Sequence, residues 1–367
     1  MDLTIGVEEE FVLTDADSRQ VVRRAATVLR RVGNGARQGG GAVELEMAQT
    51  QVESASRVCS DLAALRSELV RLRREMADAA EASGCRLIAS GTAVLGVGGP
   101  PPILDKPRYH RIADRFGPLV DQQCTCACHV HVGVADREEA VQVVNHLRPW
   151  LPALLAISAN SPFWEGRDTG YHSWRTPLWA RWPASGPPPF LGSYQEYEDV
   201  VAELQHTGAI LDGAMVYWYA RPSRHLPTVE VRVADVTPTV DEAVVLAALV
   251  RALVSTALTE IRSGAASPPV NDQVLRAACW HAARYGLGAI TAIAGAGGMP
   301  GRVGGAAELI THIRPALEAA DGADMVLEIL RSVRRDGTGA DRQRAAFRRR
   351  GRLEDVVDLL AEQTAGR

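Results

Sequence analysis

Glu8 and Glu10, His129 and His131, and Glu230 and Arg232 are three pairs of chemically capable residues, each spaced two apart with mostly apolar residues at the alternate positions, Glu9 excepted. A spacing of two puts both members of a pair on one face of a β-strand. Glu46 and Glu53 add two carboxylates at a separation of seven, which a regular strand would send to opposite faces, so their segment must bulge or turn for both to join the rest. Carboxylates gathered this way repel and raise one another's pKa unless a cation lies among them. Oxygen ligands select hard ions such as Mg²⁺ or Mn²⁺. Clustered divalent ions are what phosphoryl chemistry on ATP requires, and the planar fork of Arg232 suits phosphate oxygens.

Other chemistries use the same residues. Glu230 and Arg232 alone could be a surface ion pair. A zinc hydrolase would take His129 and His131 as ligands with a glutamate as base, but leaves the other carboxylates without purpose. A non-catalytic metal-binding protein is a third reading. Cys124, Cys126 and Cys128 resemble zinc ligands in text, yet alternation sends them to the face opposite both histidines, where they read as small buried hydrophobes.

The elements that must position these residues follow from periodicity. Leu3 to Thr14 is a strand with Ile5, Val7, Phe11 and Leu13 on one face and Gly6, Glu8, Glu10 and Val12 on the other; Glu9 falls on the apolar side without explanation. Cys124 to Val134 and Thr228 to Asp235 alternate likewise, the latter with Val229, Val231 and Val233 opposite Glu230 and Arg232. Val43 to Ser54 reads as one strand. Helices are expected over Arg19 to Arg31, Asp61 to Ser83, Arg108 to Phe116, Asp136 to Ser158 with bends at Pro149 and Pro152, Tyr194 to Thr207, Val240 to Ile261, Asp272 to Tyr285, and from Ala306 to the end with a break at Asp336 to Gly339. Cys85 to Thr92 is a buried strand. The glycine-rich Gly33 to Gly41 lacks a phosphate-loop ending and reads as a plain loop. Ser161 to Gly192, rich in Pro, Gly and Trp, is too long for a connector and reads as a functional loop. The arginines from Arg342 to Arg352 read as a solvated helix face.

The 367 residues carry 46% hydrophobic and 23% charged side chains and a net charge of −4, a globular composition that gives no reason to expect nucleic acid or an anionic membrane as partner. The longest apolar run, Ala243 to Leu258, is interrupted by Arg251 and is short for a bilayer span. Met1-Asp2-Leu3 runs into the first strand without a signal peptide, and six cysteines in so long a chain read as reduced thiols, so a cytoplasmic location is expected. No repeat or linker divides the chain, which reads as a single catalytic domain over 1–367 with homo-oligomerisation left open.

The chain resembles the glutamate–cysteine ligase type 2 family, bacterial carboxylate–amine ligases related to glutamine synthetase. The matching stretches are Gly6 to Phe11, Gln51 to Glu53, His129 to Gly133, Ser161 to Trp164, Asp168 to Gly170 with Ser173 and Arg175, Arg221-Pro222, Thr228 to Asp235, Arg284 to Leu287, and Gly339 to Arg344 with Gly351 to Leu360. The resemblance implies an α+β fold, a curved, largely antiparallel sheet with a polar concave face and helices packed on the other, glutamine synthetase-like. It implies ATP and Mg²⁺ (or Mn²⁺) as cofactors, an acyl-phosphate intermediate, an amino acid carboxylate such as glutamate as donor and an amine such as cysteine as acceptor. Its metal positions fall on Glu8, Glu10, Glu46, Glu53, His129 and Glu230. Catalytic roles fall on Arg232, Glu53 and Arg175, and nucleotide or substrate binding on Arg232, Arg221 and His131. A guanidino kinase shares that type of sheet and is a remoter alternative. Two positions depart from the family pattern: Tyr219 replaces an acidic residue and Ala93 a histidine. Both are expected near the donor or acceptor pocket, where they would alter which acid or amine fits, so a specialised ligase is the nearer alternative.

Overall fold

The computed structural model describes residues 3–32, 41–96, 98–288, 303–320 and 322–366. Its centre is an open seven-stranded sheet: β1 (Ile5–Asp15), β2 (Ala42–Leu45), β3 (Gln51–Ala55), β4 (Cys85–Ile88), β5 (Ala127–Gly133), β6 (Ala220–Pro222) and β7 (Thr228–Asp235). The order is β6-β7-β5-β1-β3-β2, with β4 also pairing β1. Every pairing in it is antiparallel.

The alternation expected of β1 is present: Ile5, Val7, Glu9 and Phe11 are buried, and Gly6, Glu8 and Glu10 are partly open. Glu9 has its explanation in Arg73. That arginine sits on the apolar stripe of the helix after β3 and donates to both Glu9 carboxylate oxygens, at 3.0 and 2.5 Å, while also donating to the carbonyls of Thr237 and Pro238.

The helices run as α1 (Ala25–Arg31), α2 (Leu62–Glu81), α3 (Pro107–Phe116), α4 (Arg137–Leu147), α5 (Leu151–Ser158), α6 (Arg175–Trp179), α7 (Tyr194–His206), α8 (Val240–Arg262), α9 (Asp272–Tyr285), α10 (Ala306–Glu318), α11 (Ala323–Asp336), α12 (Gly339–Arg350) and α13 (Leu353–Ala365). Side-chain oxygens cap several of them, Asp136 accepting from Glu139 N at 2.9 Å and Asp61 from Ala64 N at 2.7 Å. Among the described helices α8 alone is long and apolar enough to cross a bilayer by composition; most of its apolar window is buried inside the protein. The aliphatic face of β1, β5 and β7 packs with residues of α2, α4, α5, α8, α9 and α10 in one core cluster. A second cluster joins the other half of β1 to α2, α12 and α13. A third, of Ile112, Trp182, Tyr197, Met215 and Trp218 among others, is separate from both.

Several expectations need correction. The helix expected over Arg19 to Arg31 begins only at Ala25, with Val21 bridging Thr14 instead, and the tail breaks near Gly322 and Gly351 as well as at Gly337. Val43 to Ser54 is not one strand but the hairpin β2-β3, with Glu44 opposite Glu53; the turn between Leu45 and Gln51 is what the odd Glu46–Glu53 spacing required. The arginines of α12 are not all solvated: Arg342 pairs with Glu242 at 2.7 Å and Arg344 with Asp168 at 2.7 Å. Strand β7 does not alternate to its end. Val231 faces Val130 and Ala234 faces Cys128, so three steps on β7 match two on β5. This bulge turns Asp235 from the valine face, where strict alternation puts it, to the face of the histidines opposite Ala127. The loop expected over Gly33 to Gly41 lies, up to residue 40, outside the described residues.

Candidate active site

Sheet register assembles the site. Reading across the strands, Arg221 stands opposite Glu230 and Glu230 opposite His131. His129 stands opposite Glu8, and Glu10 opposite Glu53. The cross-strand spacing of a few ångströms then brings side chains from five strands into mutual contact. Glu46, just past β2, closes the row.

His129 Nδ1 lies 3.2 Å from Glu8 Oε2 and its Nε2 4.0 Å from Glu10 Oε1, while His131 Nε2 lies 3.3 Å from Glu8 Oε1. The other nitrogen of His131 meets Thr228 Oγ1 at 2.9 Å. Glu230 is held from both sides, by Arg221 Nε at 2.8 Å and by Arg232 Nη1. Arg221 is itself fixed by donation to the carbonyls of Val216 and Ala214, at 2.7 and 3.2 Å.

The electrostatics divide the row in two. Burial would raise the Glu8 carboxyl, but hydrogen bonds from His129 and His131 outweigh it and hold it well below the usual carboxylate range. Burial likewise works against Glu230, and Arg232 and Arg221 hold it well below that range. Glu10 is different. Burial, then repulsion from Glu46, push it up to about 8 against the pull of Arg175, the Ala127 N–H and Arg232. Glu53 is driven well above the usual range by burial and by Glu46, Glu10 and Glu8 in turn. Burial and the Arg232 charge bring His129 down to about 4, despite Glu8, leaving the neutral ring that ligates metals.

Among the described residues, three groups of side chains therefore have the reach to hold cations: Glu8, His131 and Glu230; Glu8, Glu53 and His129; and Glu10, Glu46 and Glu53. The ligand atoms of each lie within 4.8 Å of one another. Glu8 belongs to two groups and Glu53 to two, as expected of neighbouring ions that share carboxylates. The donors are mostly oxygen, and the mutual repulsion at Glu10, Glu46 and Glu53 is what a divalent cation relieves, so the set fits Mg²⁺ or Mn²⁺. His129 and His131 fall in different groups, which does not suit a zinc ion held by both, and no cysteine belongs to any of them. All six cysteines are buried.

Of these residues, Glu8, Glu10, Glu46, Glu53 and His129 line a cavity of about 290 Å³ whose acidic floor includes Glu10, Glu46 and Glu53 and whose arginines are Arg108, Arg221 and Arg232; His131 and Glu230 are not in its lining. Its opposite wall is aromatic, with Trp179, Trp182, Tyr217 and Tyr109. Trp179 and Trp182 come from the tryptophan-rich stretch from Ser161 to Gly192, which was expected to be functional; Tyr109 of α3 and Tyr217 lie outside it, and no sequence pattern singled them out.

Arg175 is not part of the lining. Its guanidinium is buried and donates to the carbonyls of Arg232 and Val233, at 3.2 and 3.3 Å, on the bulge itself. Beside it, Asp235 accepts from Ser161 Oγ at 2.6 Å, Ser173 Oγ at 2.9 Å and Asn160 N at 2.9 Å. Gln343 of α12 donates to Asn160 Oδ1 at 2.7 Å, tying the tail to this network. The two positions expected to set substrate identity also lie elsewhere. Tyr219 is buried in the core behind the sheet, with its phenol pushed up by burial, and Ala93 is buried in the second cluster. Neither lines the cavity.

Residues 4–359 match the model of a family described as glutamate-cysteine ligase family 2. A protein of Saccharopolyspora erythraea named "putative glutamate–cysteine ligase 2-1" is 47% identical over 364 residues, covering 99% of this chain and 95% of that protein. One of Salinispora arenicola, named "putative glutamate–cysteine ligase 2", is 46% identical over 368 residues, covering 99% of this chain and 95% of that one. In fold, the chain is similar to the glutamate–cysteine ligase of Francisella tularensis crystallised with AMP, with a TM-score of 0.70 at 12% identity over 100% of this chain and 90% of that one. It is also similar to the ligase of the prokaryotic ubiquitin-like protein Pup, with a TM-score of 0.55 at 13% identity over 99% of this chain and 73% of that one.

Proposed function

Because the chain belongs to glutamate-cysteine ligase family 2, and is thereby a ligase that forms C–N bonds, we propose that it joins a donor carboxylate, glutamate foremost, to an amine such as that of cysteine. We read the reaction as ATP- and Mg²⁺-dependent and as passing through an acyl phosphate. The single observation that carries this reading is the row of three overlapping groups of cation ligands on one sheet face, five of whose residues line the cavity beside Arg221 and Arg232.

In that reading a donor carboxylate oxygen attacks the γ-phosphorus, a C–O–P linkage forms and ADP leaves with the electrons of the broken P–O bond. The amine then attacks the acyl carbon, phosphate departs and the nitrogen gives up a proton. The substrate carboxylate is the nucleophile, so no side chain is needed for that role. Divalent ions held by Glu8, Glu10, Glu46, Glu53, His129 and Glu230 would neutralise charge on the transferred group.

The remaining work falls to the protein. Arg232 lines the cavity with its Nε unpaired, available to phosphate oxygens as charge-assisted hydrogen bonds. Arg221 fixes Glu230 and keeps that carboxylate ionised. His131 steadies Glu8. Arg175, assigned a direct role by the resemblance, acts from behind by holding the carbonyls of the bulge that aims Arg232. Strands from residue 5 to residue 235 build one sheet, and the tail helices brace it, so the chain works as one catalytic unit. Incubating the protein with ATP, Mg²⁺ and panels of acids and amines, with ADP and product masses read out, tests the proposal. ADP released only when both an acid and an amine are present, with an amide as product, supports it; a phosphorylated guanidine or metal-independent hydrolysis contradicts it.

A further inference from the structure

The aromatic end of the cavity carries polar atoms that the fold leaves unmatched. Gln123 is 5% exposed, and neither its Oε1 nor its Nε2 has a partner; Trp182 is 3% exposed, and its indole Nε1 has none. Both residues line the cavity. Native folds retain few buried polar groups without partners, because each forfeits the hydrogen bonds it made in water. Neither residue sits in a loose segment. The Gln123 N–H donates to the Val120 carbonyl at 3.1 Å, and the Trp182 ring packs on Phe116 with centroids 5.0 Å apart. Arg181 donates to Gln122 Oε1, so the two segments meet where their next residues, Gln123 and Trp182, reach the cavity wall.

The unmatched atoms define their ligand. They offer N–H donors from an amide and an indole, and one amide oxygen as acceptor, with no net charge. A phosphate would seek unpaired cations; Arg108, beside the aromatic wall, is held by Asp212 at 2.9 Å, and the other arginines of the cavity are Arg221 and Arg232. A zwitterion with an ammonium beside a carboxylate suits a neutral donor-and-acceptor pair. We propose that Gln123 and Trp182 hold the α-amino acid head of the donor substrate, Gln123 Oε1 accepting from its ammonium and the two N–H groups donating to its α-carboxylate. The proposal rests on the ligase reading. It selects the donor over the acceptor because an acceptor's amine must be free to attack, whereas the α-head of a γ-glutamyl donor takes no part in bond making. The donor's distal carboxylate would then extend towards the acidic floor.

The test uses the full chain with Mg²⁺ and two variants: Gln123→Leu, which removes both amide functions, and Trp182→Phe, which keeps the ring packing and removes only the N–H. Calorimetric titration with L-glutamate is read beside the KM values for glutamate, amine and ATP. Glutarate, which lacks the α-ammonium, serves as the discriminating analogue. The expected result is glutamate binding and KM weakened about tenfold or more by Gln123→Leu and several-fold by Trp182→Phe. The ATP KM stays within about twofold, and the preference for glutamate over glutarate collapses in Gln123→Leu. A merely structural change would not erase that preference. Unchanged glutamate affinity and preference in both folded variants overturns the assignment, as does an effect confined to the amine substrate. If the wild-type protein releases no ADP with any pair, the ligase reading fails, and the glutamate titration still decides this one: absence of binding overturns it, and binding lost in Gln123→Leu supports it.

Discussion

Glu9 and Arg73 form an ion pair buried to 0% and 1% exposure on the face of β1 opposite Glu8 and Glu10. One strand thus carries carboxylates on both faces, one answered inside the protein and two turned to the cavity. Removing one partner leaves an uncompensated charge in the core. Arg73→Met is expected to cost about 3–5 kcal/mol, and pairing it with Glu9→Leu to recover most of that loss. Urea unfolding of the single and double variants measures both; a single variant as stable as wild type would show that the pair is not needed.

Protonation should be linked to stability through the cavity floor. Glu10 and Glu53 are raised in the folded protein, Glu10 to about 8 from 4.5. A carboxyl raised on folding contributes most below its unfolded pKa, and the contribution is lost as pH rises through the folded value. In EDTA the melting temperature should therefore fall between about pH 4.5 and 8 from this source. Mg²⁺ should restore stability increasingly over the same range, because only the ionised carboxylates bind it. Melting curves with and without Mg²⁺ across that range check the sign; a Mg²⁺ increment that shrinks as pH rises would contradict the metal assignment.

Much of this face was readable in advance, because strand alternation is a period-two rule and Glu8, Glu10, His129, His131, Glu230 and Arg232 obey it. What alternation misses is any departure from period two. The bulge after Val231 has no glycine or proline to announce it, and it alone moves Asp235 to the site side. The Glu46 and Glu53 spacing signalled a turn but not a hairpin. Tyr219 follows Trp218, which belongs to the third cluster, yet the chain turns it into the core behind the sheet, a matter of tertiary packing that no local pattern encodes. Arg73 had a signal, a charge on the apolar stripe of α2 between Leu69 and Met76, which pairs naturally with the misplaced Glu9.

Asp235 organises the bulge through three donors, and its carboxyl is pushed up by burial even so. Asp235→Asn would turn an amide N–H towards groups that donate. The expected loss is on the order of 2–4 kcal/mol, together with a fall in kcat larger than any change in substrate KM, because Arg232 would lose its aim. Equal kcat in a folded Asp235→Asn protein would separate the network from catalysis.

The tail is braced by close approach. A Cβ at Gly339 would lie 2.2 Å from Asn160 Oδ1, the atom that accepts from Gln343. Gly339→Ala is expected to destabilise by about 1–3 kcal/mol, read as a lowered midpoint in denaturant. An unchanged midpoint would mean that α12 can shift without cost.

ADP release in the presence of glutamate and an amine panel decides whether the acidic sheet face binds the divalent ions of an ATP-driven ligation. Release is expected to require Mg²⁺ or Mn²⁺ and both substrates, and to be abolished by Glu230→Gln with the fold intact. Full turnover in that folded variant, or release indifferent to the divalent ion, would contradict this role.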